Sequence, residues 1–77
     1  MKFIWTISKA TGLHLAWDAD KPRRKGMHLG CVGPSVMGAR TFWEHSLWGG
    51  THESIAKAKA SFEEKWPIHD ALRRLGG

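Results

Sequence analysis

An α+β fold, an antiparallel sheet of three to four strands with one face packed on a C-terminal helix, follows from three observations. The first half of the 77-residue chain alternates apolar and polar positions, the stretch from Thr51 to Trp66 repeats its apolar residues at helical spacing, and Gly- and Pro-containing turns separate the segments. A chain of this length makes one domain, residues 1–77, and has no room for a separate cofactor domain.

Residues 2–8, Lys-Phe-Ile-Trp-Thr-Ile-Ser, open the sheet, because β-branched and aromatic types dominate and Phe3, Trp5 and Ile7 fall on one side. Ala10-Thr11-Gly12 supplies turn chemistry. Leu13, Leu15 and Trp17 then alternate against His14, Ala16 and Asp18, which completes a hairpin. A third, shorter strand is read at Met27–Val32, broken by Gly33-Pro34-Ser35, with Gly30 marking a bulge or a close backbone approach. Residues 39–48 read as a fourth strand, with Trp43, His45 and Leu47 alternating against Phe42, Glu44, Ser46 and Trp48; Thr41 and Glu44 also fit a capping box for a short helix. Thr51 is the expected N-cap of the main helix, whose stripe is Ile55, Ala58, Phe62 and Trp66, with Glu53 and Lys57 spaced to pair. Pro67 should end or kink that helix and start a second short one, in which Ile68, Ala71, Leu72 and Leu75 face inward and Gly76 closes the end.

Five tryptophans dominate the composition, and a buried tryptophan removes roughly 150–250 Å² from water. Packing Phe3, Trp5, Leu15 and Trp17 beneath Phe62 and Trp66 gives the domain its core. Trp5, Trp17 and Trp66 are therefore core residues, while Trp48, beside Gly49-Gly50, is the indole expected at the surface, with Trp43 next.

The net charge of +5 is local. Residues 1–26 carry six bases and two acids, and Lys21, Arg23, Arg24 and Lys25 stand within five residues around Pro22. Such a basic loop favours polyanions. Cys31 is alone, so there is neither an intramolecular disulfide nor a Cys-x-x-Cys metal knuckle, and no apolar run reaches signal-peptide or membrane-spanning length. These features place the chain in the cytoplasm and off the membrane. The histidines His14, His28, His45, His52 and His69 lack zinc-site spacing, and a Cys31 nucleophile would need a pocket that one sheet and one helix hardly enclose. No catalytic set, metal or cofactor is expected.

Two resemblances run along the chain. Met1 to Leu15 and Leu72-Arg73-Arg74-Leu75-Gly76-Gly77 are similar to the two ends of ubiquitin, but a β-grasp domain needs a helix directly after its first hairpin, where this chain has its basic loop. Trp43-x-x-Ser46-Leu47, Gly50-Thr51, Ala56-Lys57-Ala58 and Phe62-x-x-x-Trp66 together resemble the strand, Gly-Thr turn and helix of small uncharacterised proteins of bacteria and their phages. That resemblance implies a compact accessory protein without assigned chemistry; anti-CRISPR inhibitors share this size. The expected function is thus non-enzymatic: a binding protein that blocks a larger protein or ribonucleoprotein assembly through Lys21, Arg23, Arg24, Lys25, Trp48 and Trp43. Direct nucleic-acid binding by the same loop is the alternative, followed by a homodimer built on a sheet edge or on Trp48, so that the chain is a monomer or a homodimer.

Overall fold

The computed structural model describes residues 1–76. They form five strands and one helix: β1 (Phe3–Ile7), β2 (His14–Asp18), β3 (Gly30–Met37), β4 (Arg40–His45), β5 (Thr51–His52) and α1 (Ile55–Gly76). The strands make one antiparallel meander in chain order, with α1 packed over β3, β4 and β5. The α+β class and the C-terminal helix are as the patterning predicts; the strand count and the helix differ in instructive ways.

Register decides which residues meet the helix. Trp5 pairs with Ala16, and Ala16 with Gly30, so this row shares one face of the sheet. Ala16, Val32, Ala58, Phe62 and Trp66 are buried there, with Phe3, Trp5, Leu29 and Leu47 packed around them. Phe62 is the hub: Phe3 and Trp5 meet it edge-on at 6.0 and 5.5 Å, and Trp66 stacks on it at 5.8 Å. Small residues let the helix come this close. A Cβ on Gly30 would collide with the Phe62 ring and the Ser46 hydroxyl, so the expectation of a close backbone approach at Gly30 is met.

The same register removes Leu15 and Trp17 from the predicted core. They occupy the opposite, uncovered face, where Trp17 lies across from Ile4 and its indole N–H donates to Thr6 Oγ1 at 2.7 Å. The bulky positions of β2 thus point away from α1 and its small Ala16 lies beneath it.

Pro34 does not break the third strand. β2 pairs with β3 only as far as Val32, opposite His14, while β3 continues against β4 to Met37. Pro34 therefore sits where one side of β3 has outrun its neighbour, and its missing N–H leaves no ladder bond unmade. The next turn, Gly38-Ala39, requires a left-handed residue, which Gly38 supplies at φ 66°. The fourth strand is confirmed in preference to a helix, but it ends at His45, so Leu47 and Trp48 belong to the connection that follows.

Thr51 is not the helix cap. It pairs with Glu44 in β5, and Ser54 caps α1 instead, its Oγ accepting the Lys57 N–H at 3.1 Å. The Glu53–Lys57 pair forms at 3.4 Å between exposed side chains, worth a few tenths of a kcal/mol. Pro67 neither ends the helix nor starts another: α1 runs through it for 22 residues to Gly76. Pro67 is on the solvent side, so the bond it forfeits exposes a carbonyl to water rather than to the core. Gly76 is the last helical residue rather than a cap beyond it, and Gly77 lies outside the described residues.

Candidate functional site: the basic end of the sheet

The meander brings two connections to one end of the sheet. β2 ends where β3 begins, and β4 ends beside that point, so residues 19–29 and residues 46–50 emerge together. The first carries Lys21, Arg23, Arg24 and Lys25, all exposed. The second carries Trp48, 47% exposed. Of the sequence-predicted contact residues, these five share a region. Trp43 does not: it is half-buried on the helix-bearing face, opposite Pro34 and His52.

The C-terminal half of α1 joins the two connections. Trp48 lies 6.4 Å from the His69 ring, His69 lies 5.4 Å from Trp66, and the Arg73 guanidinium stands 6.0 Å from the Trp66 ring. Arg73 in turn borders a cleft of about 250 Å³ that runs to the basic loop, lined also by Trp17, Asp18, Lys21 and His28. Trp66 forms part of its wall, and its indole N–H, though buried, has no protein acceptor. Arg73 and Arg74 both bond Asp70, at 3.2 and 3.1 Å. Lys65, near Gly49, donates to Ser61 Oγ at 2.6 Å. Lys21, Arg23, Arg24, Lys25, Lys65, Arg73 and Arg74 thus flank one end of the sheet, joined by Lys2 opposite Ala19, against Asp18, Asp20 and Asp70.

Sequence reasoning missed Arg73, His69 and the cleft. Their contribution depends on the helix continuing past Pro67, and the Trp66, His69, Arg73 spacing along one helix face was the available signal.

Behind this surface lies a buried polar cluster. His45, 7% exposed, accepts the Leu47 N–H on Nδ1 at 3.2 Å, so its proton resides on Nε2, which donates to Ser61 Oγ at 3.0 Å. His52 stacks on His45 at 5.5 Å. Burial, then the neighbouring His52 and Lys65 charges, pushes the His45 pKa below the ordinary histidine value. His14 is lowered too, by burial and then by Lys59. Ser61 is only 8% exposed, and its bonds to His45 on β4 and Lys65 on α1 tie the helix to the sheet. Among the described residues, no group of three or more His, Cys, Asp or Glu is placed to hold a metal ion, and no helix is long and apolar enough to cross a membrane.

No protein family, curated protein or solved structure matches this chain. None of these comparisons supports the expected likeness of residues 43–66 to small bacterial and phage proteins.

Proposed function

We propose that the chain is a non-enzymatic binding protein that docks its basic end onto an acidic surface of a larger protein or ribonucleoprotein assembly. The observation that carries this reading is the convergence of the Lys21–Lys25 loop, exposed Trp48 and Arg73 around one end of the sheet. Cations steer the encounter and fix its orientation, while an aromatic side chain that becomes buried supplies much of the affinity. A complex captured on the immobilised chain tests the reading. Trp48→Ala should weaken it about thirtyfold, equivalent to about 2 kcal/mol, without lowering the melting temperature, and undiminished capture removes Trp48 from the contact.

Direct nucleic-acid binding is the second reading, favoured by an exposed indole on the same end as the cations, since stacking a base on an aromatic ring is worth about 1–3 kcal/mol. With about four phosphate contacts, oligonucleotide affinity should fall on the order of a hundredfold between about 50 and about 200 mM salt. Absence of binding at the lower salt eliminates this reading.

A further inference from the structure

The two edges of the sheet are built differently. β5 is two residues long and follows Gly49-Gly50, which leaves little ladder to extend. β1 is a regular five-residue strand, Phe-Ile-Trp-Thr-Ile, without proline, glycine or charge, and its outer side pairs with nothing among the described residues. Natural sheets usually guard such an edge with a bulge, an inward charge or a covering element. Here α1 meets β1 on its inward face, where Phe3 and Trp5 pack on Phe62, and no described strand pairs along its outer edge. Exposed apolar side chains gather beside β1: Met1 and Ile7 are each 64% exposed and Ile4 38%.

The hydrogen bonds inside the first hairpin show which backbone groups are available. The Lys2 carbonyl accepts the Ala19 N–H at 2.9 Å, and the Ser8 N–H donates to the Leu13 carbonyl at 2.8 Å. Even-numbered residues thus turn toward β2, and alternation turns the N–H and C=O of Phe3, Trp5 and Ile7 outward. These three are spaced symmetrically about Trp5. A second copy laid antiparallel with Trp5 opposite Trp5 sets Phe3 against Ile7 in both directions, giving three hydrogen-bonded pairs and so about six backbone hydrogen bonds. Sliding the register by two residues loses one pair.

The charges agree with that register. Lys2 falls opposite Ser8, and Lys9 opposite Met1, so no lysine faces a lysine. At Met1 opens a groove of about 550 Å³, lined by Asp70, Ala71, Arg74 and Leu75, whose Asp70 is already bonded by Arg73 and Arg74; Lys9 of the second copy would lie at its rim, with the apolar Met1 rather than a cation opposite it. The two-fold axis also sends the two basic loops to opposite ends, which limits the mutual repulsion of chains carrying +5 each.

We infer that β1 is a self-association edge, through which two copies join their sheets into one ten-stranded sheet with both helices on the same face. This dimer is independent of the docking proposed for the basic end and would present two such ends pointing apart. Sedimentation equilibrium over a concentration series tests it, with Ile7→Pro as the probe: Ile7 turns its N–H outward, so proline removes an edge donor without breaking the β1–β2 ladder. The wild type should run at twice 8.7 kDa in the micromolar range. Ile7→Pro should run as a monomer with an unchanged circular-dichroism spectrum. Should that variant misfold, amide exchange on the wild type gives the same answer, with the Phe3, Trp5 and Ile7 amides protected at high concentration and released on dilution. A wild type that stays monomeric at about 100 µM, a folded Ile7→Pro variant that stays dimeric, or rapid exchange of those three amides at every concentration overturns the inference.

Discussion

The two halves of α1 share one backbone and do different work. From Ile55 to Trp66 the helix buries Ala58, Ser61, Phe62 and Trp66 against the sheet. Beyond Pro67 it leaves Ile68, Leu72 and Leu75 at 56%, 60% and 86% exposure and carries Arg73 and Arg74 in its last turn. The first half closes the domain; the second extends past the core and supplies surface to the basic end. Continuity of the helix allows a stably packed segment to position a segment with little packing of its own. Substitutions in the two halves should therefore separate stability from binding.

The largest effect expected is at Phe62, which is fully buried and touches Phe3, Trp5, His45 and Trp66. Phe62→Ala should cost about 3–5 kcal/mol, read from denaturant unfolding. For a domain of this size that is a large share of the total stability.

A smaller effect comes from pH and also belongs to the first half. His45 bonds Ser61 on α1, and both His45 and His14 have pKa values depressed by burial. The unfolded chain binds protons near the ordinary histidine value of about 6.5, before the folded chain does. Their stabilising contribution is thus complete above about pH 6.5 and is lost as pH falls below it, toward the lowered folded values. The melting temperature should drop between about pH 7.5 and about pH 5.5, and His45→Gln should flatten that dependence; an equally steep profile in the variant assigns the effect elsewhere.

The smallest effect is at the other half. Leu72→Ser should change unfolding free energy by less than about 0.5 kcal/mol, since this side chain is mostly in water already. A loss of about 2 kcal/mol would mean that the second half is part of the core after all.

Much of this division was legible in the residues. The alternation of β1 and the stripe through Phe62 and Trp66 identified the inward side of both elements, and the charge cluster picked out the loop at residues 21–25. What failed shares a cause: local rules were applied where the neighbouring chain decides. Leu15 and Trp17 carry the stronger apolar pattern of β2, yet the close approach of Phe62 requires small Ala16 and Gly30 beneath it, which turns the large residues outward. Pro34 and Pro67 read as breaks because a missing N–H usually matters; here one stands where β3 has outrun β2 and the other on the solvent side of α1. The same helical continuity hid Arg73 and His69 from the candidate site, because a helix ending at Pro67 would not have aligned them with Trp66.

The most direct test compares the two ends of the molecule. Arg23→Glu with Arg24→Glu reverses the basic loop, and Arg40→Glu reverses a charge beside the Gly38-Ala39 turn at the opposite end of the sheet. With both variants folded, affinity for a captured partner is measured side by side with the wild type. The basic-end account predicts at least a tenfold loss for the loop variant and an unchanged affinity for Arg40→Glu. Equal affinity of the loop variant and the wild type would contradict it.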